Sequence, residues 1–145
     1  MFTHIRLITL CLVICGAANG CSDGKPSLSP VSGRVMIDGQ PVSHGFIQVM
    51  PAGFRPANGK LDENGHFELT TFELGDGCVN GSHRLTITAF ELLPGKRQKW
   101  YAPKSYSTPG SSGLSIEVNG PTTDEEINLT WGGGKPFIES FAGRE

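Results

Sequence analysis

The chain is predicted to fold as an all-β domain, a single seven-stranded antiparallel Greek-key β-sandwich. The first observation is that apolar and polar residues alternate with a period of two between Val31 and Trp131. The second is that twenty glycines and ten prolines in 145 residues supply frequent turn signals. The third is that no stretch of this region has the spacing of an amphipathic helix. Many short strands separated by turns are typical of a sandwich.

The first twenty residues predict a secretory signal peptide, with Arg6 ahead of a short apolar run over residues 7–14. That run is too short to span a hydrocarbon core of ~30 Å. The stretch A-N-G-C at residues 18–21 resembles a bacterial lipobox, in which Cys21 would carry a diacylglycerol group and become the mature N-terminus. The alternative is ordinary cleavage after Ala18 or Gly20, which gives a soluble secreted protein. Residues 21–30 are polar, contain proline and are predicted to form a flexible tether.

These features predict an exported protein of the cell envelope, lipid-anchored to a membrane and facing the periplasm or the cell surface. Cys11 and Cys15 lie in the leader and would be removed with it. If Cys21 is acylated, Cys78 is left as a lone thiol; without acylation, a Cys21–Cys78 disulfide could form. No pair of cysteines has the C-x-x-C spacing of zinc or redox motifs.

The sandwich domain is predicted to cover residues 31–131. Its first strand, residues 31–37, ends at the turn dipeptide Asp38-Gly39, and the chain returns over residues 42–50. A turn at Asn64-Gly65 separates the next two strands. Residues 54–61 are predicted to be a Gly/Pro-rich connection that leads into a short strand. The remaining predicted strands are residues 66–72, 82–90, 114–118 and 126–131. Residues 132–145 are predicted to be a Gly-rich tail whose Phe137, Ile138 and Phe141 could dock on the domain.

Charge and motif content exclude several functions. The formal charge is −2, and removal of the leader with Arg6 leaves about −3, which offers no footprint for nucleic acid. No metalloprotease, nucleophile-elbow or P-loop motif occurs. His44, His66 and His83 fall on separate predicted strands. The pattern Asp62-x-Asn64-Gly65 fits a hairpin turn better than a calcium loop, because later ligand positions do not match. We therefore predict no catalytic residue, metal or cofactor.

One surface feature predicts ligand contact. Residues 92–113 form a long connection that combines aromatic and basic side chains, and long loops on rigid sandwiches often bind ligands. Its candidate contact residues are Trp100, Tyr101, Tyr106, Lys99 and Lys104. Aromatic faces beside hydrogen-bond donors suit sugars or peptides. The alternative is that these rings cover the end of the core.

Three sets of motifs stand out along the predicted domain: V-S-G-R-V at 31–35 with D-G-Q-P-V at 38–42, D-E-N-G-H-F at 62–67, and G-S-H-R-L-T-I at 81–87. In this order they resemble the carboxypeptidase regulatory-like, transthyretin-like domain, an Ig-like sandwich. Residues 101–106 and 112–118 further resemble small planctomycete-type lipoproteins. The resemblance implies a β-sandwich, export and surface attachment, without an established activity.

Three functions are expected from these observations. The first is a non-catalytic, membrane-anchored module that binds an envelope protein or polysaccharide through loops at one end of the sandwich. The second is a structural or accessory lipoprotein that packs edge to edge into an oligomer. The third is a transthyretin-like hydrolase, whose histidine, arginine and serine motifs are not recognisable in the sequence. The oligomeric state is not predicted.

Overall fold

A computed structural model describes Gly24 and residues 26–141, so the predicted leader, four residues of the predicted tether including Cys21, and residues 142–145 lie outside the described residues. The described part contains strands and one 3₁₀ helix (Lys104–Ser107) but no α-helix, which confirms the all-β prediction. No helix in this part is long and apolar enough to cross a bilayer. The strands are β1 (Leu28–Ser29), β2 (Val31–Ile37), β3 (Gln40–Pro41), β4 (Phe46–Met50), β5 (Ala57–Lys60), β6 (His66–Glu68), β7 (Cys78–Val79), β8 (Gly81–Thr88), β9 (Phe90–Leu93), β10 (Arg97–Trp100), β11 (Leu114–Val118), β12 (Thr122–Leu129) and β13 (Phe137–Ser140).

Two four-stranded sheets supply the core. The first has the order β12-β2-β3, with β6 also paired to β2, and the second has the order β11-β8-β4-β5. Alternate residues of both sheets point into one apolar cluster, as the period-two pattern predicts. The cluster includes Val31, Val35 and Ile37 of β2, Ile47 and Val49 of β4, Leu85 and Ile87 of β8, Ile116 and Val118 of β11, and Ile127 and Leu129 of β12.

The predicted count of seven strands is wrong, because the described residues form thirteen strands in four sheets. The prediction of purely antiparallel pairing is also wrong, since β12 runs parallel to β2 from Val31 to Ile37. Alternation along a strand tells which side chains are buried. It carries no information on the direction or identity of the neighbouring strand, and two-residue strands such as β1 and β3 are too short to show it.

Two smaller sheets extend the pairing beyond the predicted domain. The segment predicted as a long loop contains the hairpin β9–β10, and β13 from the predicted tail adds to β10 in the order β13-β10-β9. Towards the N-terminus, β1 lies inside the stretch predicted to be a tether, and it pairs with β7 of the domain. The ordered structure therefore reaches to both sides of residues 31–131.

Gly33 allows the parallel pair to form. Pairing is regular from Glu125 to Leu129, but a register shift separates Thr122 from Glu125. At this irregularity the backbone of β12 comes so close that a Cβ added at Gly33 would lie 2.0 Å from the Glu125 carbonyl oxygen. Only a residue without a side chain fits such an approach.

The strand β2 is about 20 Å long for its seven residues, and different loops lie beyond its two ends. Next to Val31 lies the tether end, which we define as residues 26–31, 51–56 and 72–77. Leu69 donates its amide to the Val31 carbonyl, so the chain that leaves β6 continues into this end. Beyond Ile37 lies the cleft end, which we define as residues 43–46, 60–64 and 90–91. The strand β4 runs between the same two ends. Phe46, which pairs with Thr88, lies at the cleft end, and Met50, which pairs with Arg84, lies at the tether end.

We expect the Gly33→Ala substitution to lower the free energy of unfolding by about 1–3 kcal/mol, because the added methyl group must displace the β12 backbone. The Gly110→Ala substitution is the matched control: a Cβ there would meet nothing within 4 Å. We expect it to change stability by less than about 0.5 kcal/mol. Urea unfolding followed by tryptophan fluorescence measures the free energy of unfolding of each variant. Equal stability of the two variants would contradict the close approach of β2 and β12.

Candidate ligand-binding site

A cleft with a volume of 780 Å³ opens at the cleft end, between residues 43–46, 60–64 and 90–91. Its volume falls in the range of small-molecule sites. Three chain segments that are distant in sequence meet here, because β4 begins, β5 ends and β8 passes into β9 at the same level of the second sheet. The cleft therefore follows from the register of that sheet.

Phe46 supplies an exposed aromatic surface. Alternation along β4 directs Ile47 and Val49 into the core, so Phe46 points outward and leaves 57% of its surface exposed. Its cross-strand neighbours are Lys60 and Thr88. Isolated exposed apolar residues are common, but an exposed ring inside a cleft is a suitable contact for a sugar or an apolar side chain.

Asp62 places a fixed negative charge in the cleft. Its Oδ1 accepts hydrogen bonds from the amides of Asn64 at 2.8 Å and His66 at 2.9 Å, and its Oδ2 lies 3.4 Å from Nδ1 of His66. These contacts, led by the His66 amide, lower the pKa of Asp62 below its ordinary value. The carboxylate is thus ionised at neutral pH and oriented by the turn at residues 62–66.

Glu91 is a second oriented carboxylate of the cleft. The Tyr101 hydroxyl donates a hydrogen bond of 2.8 Å to Oε2 of Glu91, and this bond raises the pKa of the Tyr101 phenol. The His44 ring stacks on Tyr101 with 4.7 Å between ring centres, and Nζ of Lys99 lies 4.9 Å from the centre of the Tyr101 ring. Ser43 in turn bonds Nδ1 of His44 at 2.8 Å. Tyr101 therefore positions Glu91, and its own ring is contacted by His44 and Lys99.

Trp100 and Lys104 lie together and do not line the cleft. Trp100 is buried between Phe90 and Phe137, and its Nε1 donates to Oε2 of Glu139 at 3.3 Å. Nζ of Lys104 pairs with the same carboxylate at 2.8 Å and lies 5.4 Å from the centre of the Trp100 ring. The Lys104 contact first, and the Trp100 contact second, lower the pKa of Glu139.

Tyr106 lies against the backbone that follows β12. Its hydroxyl donates to the Thr130 carbonyl at 3.3 Å and accepts the Thr130 amide at 3.2 Å. Together with Tyr101, it packs against the apolar cluster, which agrees with the alternative expectation that these rings cover the core. The five predicted contact residues therefore do not form one surface, because alternation along β10 sends Trp100 and Lys99 to opposite faces.

None of the five predicted contact residues lines the cleft, and the lining residues that the sequence predictions missed include His44, Phe46, Phe90 and Glu91. Phe46 could have been found, since the inward assignment of Ile47 and Val49 requires it to point outward. Glu91 could not, because its place depends on the hairpin β9–β10 and on the Tyr101 hydroxyl.

The remaining candidate groups have separate partners. His66 accepts a hydrogen bond of 2.7 Å from Arg34, and Nε2 of His83 lies 2.7 Å from the Val79 carbonyl oxygen. Across residues 26–141 no group of three or more histidine, cysteine or acidic side chains is close enough to share a metal ion. Cys78 is buried in the core, and burial raises the pKa of its thiol, which makes it a poor nucleophile.

Comparisons with protein-family models, with curated proteins and with solved structures found no match to this chain. The resemblance to the carboxypeptidase regulatory-like domain therefore stays a prediction.

We expect the Glu91→Gln substitution to lower the pKa of Tyr101 towards its ordinary value of 10.0, because the phenolate would no longer form beside a carboxylate. The Tyr106→Phe substitution is introduced both with Glu91 retained and with Glu91→Gln, which leaves Tyr101 as the only phenol in the described residues. Ultraviolet titration of the Tyr101 phenolate then compares the pKa of Tyr101 in these two variants. Identical titration curves would show that Tyr101 and Glu91 are not in contact in solution.

Proposed function

We propose that the chain is an exported lipoprotein, anchored through Cys21, whose folded part is a non-catalytic module that binds an envelope protein or polysaccharide. The observation that carries this proposal is a preformed cleft at the end of β2 opposite to the tether end. A binding site in that position would point away from the membrane to which the tether leads.

The fold proposed for this module is a sandwich of the transthyretin-like, carboxypeptidase regulatory-like type. Two sheets that share one apolar core support it. So do the turns in two of the motifs that suggested the resemblance. Asp38 and Gly39 have positive φ values of 45° and 79° between β2 and β3, and Gly65 has a φ of 76° in the turn before β6.

The chemistry of the cleft suits a partner with both apolar and hydrogen-bonding surface. The exposed ring of Phe46 offers an apolar face, and Asp62 and Glu91 offer oriented acceptors for hydroxyl, amide or ammonium groups. Because these acceptors are already oriented by Tyr101 and the 62–66 turn, little side-chain entropy is lost when a ligand binds.

A second candidate function, a structural oligomer, rests on β13. This strand lies at the edge of its sheet, and its Phe137 and Ile138 are exposed. Exposed apolar edge strands can pair with another chain. Analytical ultracentrifugation tests this function, since a monomer at all concentrations would exclude it.

The binding function is tested by photo-crosslinking in intact cells. A benzoylphenylalanine residue replaces Phe46 in the cleft and, as a control, Ile138 of β13, because these two side chains have similar exposures of 57% and 54%. We expect a discrete crosslinked protein or polysaccharide from position 46 only. Absence of crosslinks at position 46, or the same products at both positions, would contradict the proposed site.

The anchor is tested separately by intact-mass analysis of the protein isolated from membranes. The expected result is a mature chain that begins at Cys21 and carries the mass of a diacylglycerol group. An unmodified Cys21 would contradict the anchor without affecting the crosslinking result.

A further inference from the structure

An apolar patch is exposed at the tether end. It consists of Leu74, Phe54 and Phe72, whose side chains are 92%, 50% and 39% exposed. They lie on two neighbouring loops, residues 51–56 and 72–76, which are linked by the guanidinium group of Arg55 at 5.6 Å from the centre of the Phe72 ring. Three large apolar residues on adjacent loops form the kind of surface that contacts a protein or a membrane.

The loop that presents Leu74 has a fixed conformation. Oδ1 of Asp76 accepts the Thr71 amide at 2.7 Å, and its Oδ2 accepts the amides of Phe72 and Glu73, each at 2.9 Å. Partial burial raises the pKa of Asp76, but the three amides outweigh it and keep the pKa below its ordinary value. The loop is therefore built around an ionised carboxylate, with Leu74 directed outward between Glu73 and Gly75.

The N-terminal segment joins the domain at this same end. β1 pairs with β7, with Ser29 opposite Cys78, directly after the loop that carries Leu74. A Cβ at Gly77 would lie 1.8 Å from the Ser29 carbonyl oxygen, so the two segments are in close backbone contact. The first residues of the described segment, which run along β7 towards Val79, therefore lie at the same end of the domain as the apolar patch.

We propose that this patch, Phe54, Phe72 and Leu74, rests in the interfacial region of the bilayer to which the chain is anchored. The proposal rests on the lipid anchor of the proposed function. Such an anchor would make the membrane the surface nearest to the patch. Side chains of this kind gain free energy when they leave water for the acyl boundary. The short tether from Cys21 keeps the patch at high effective concentration at the membrane, so weak intrinsic affinity is sufficient.

The charges near the patch favour an apolar contact over an electrostatic one. Arg55 and Glu73 have opposite charges on the two loops, and the Asp76 carboxylate is occupied by backbone amides. Binding should therefore not require anionic lipid, in contrast to polybasic membrane contacts.

The test uses the protein isolated from cells, reconstituted into phosphatidylcholine vesicles that contain either ordinary or brominated acyl chains. Bromine quenches tryptophan only when the indole reaches the acyl region. The Leu74→Trp and Phe54→Trp variants place an indole on each loop, and Leu92→Trp is the control, because Leu92 is 68% exposed on β9 and lies near the cleft end. The unsubstituted protein gives the background from Trp100 and Trp131.

We expect the fluorescence added by Leu74→Trp and Phe54→Trp to fall by about half or more in brominated vesicles, because an interfacial contact places side chains ~5–10 Å into the lipid boundary. The fluorescence added by Leu92→Trp should not change. The same quenching is expected with and without phosphatidylglycerol. Equal quenching at positions 74 and 92, no quenching on either loop, or quenching only with anionic lipid would overturn the proposal.

The lipid anchor on Cys21 and the membrane contact of the patch are tested independently. If the isolated protein carries no lipid on Cys21, the proposed anchor is wrong, and its Cys21 thiol is then coupled to maleimide-bearing lipid in the same vesicles. Cys78 is buried, so we do not expect its thiol to react with the maleimide. Quenching of the two loop variants after coupling would support the patch even without a natural anchor, and its absence would refute the patch.

Discussion

The close parallel contact between β2 and β12 is the constraint on which the rest of the structure depends. β2 pairs with β12, β3 and β6, and its buried face contributes Val31, Val35 and Ile37 to the core shared by both large sheets. The contact forms because Gly33 leaves room for the Glu125 carbonyl where the register of β12 shifts. Without that approach, Ile127 and Leu129 would not be aligned with Val35 and Ile37 over the core.

The same strand gives the molecule two different ends. Where β2 begins, the N-terminal segment joins the domain and Phe54, Phe72 and Leu74 are exposed. Where β2 ends, the chain turns through Asp38-Gly39 and the cleft opens nearby. An anchored protein of this kind would keep its apolar end at the membrane and its oriented carboxylates, Asp62 and Glu91, at a distance from it. The two proposals of function thus depend on one structural feature, the direction of β2.

Much of the core could be predicted from the sequence, because burial follows the parity of residues along a strand. The alternation correctly predicts that four central residues are buried: Ile47, Val49, Leu85 and Ile87. The turn at Asp38-Gly39 was also predictable, since few residues tolerate a positive φ. The direction of β12 was not, because parallel and antiparallel strands bury the same alternate residues when their registers agree.

The candidate site was only partly predictable for a related reason. Trp100, Tyr101 and Lys99 stood out as aromatic and basic residues in a long connection, but their roles depend on the pairing of β10 with β9 and β13. That pairing buries Trp100 and brings Tyr101 to Glu91, so a ring expected to stack on a ligand instead orients a carboxylate. The β9–β10 hairpin and the addition of β13 to it decided both outcomes.

The most direct test of the central claim is the height of each end above the membrane. Energy transfer from a fluorophore on a Glu63→Cys variant, at the cleft, and on an Arg55→Cys variant, at the tether end, to acceptor lipids in the vesicle surface measures both heights. The length of β2 predicts that the cleft label lies farther from the lipid by about 20 Å. Equal distances for the two labels would show that the molecule lies on its side, and would contradict the assignment of a membrane end and a binding end to β2.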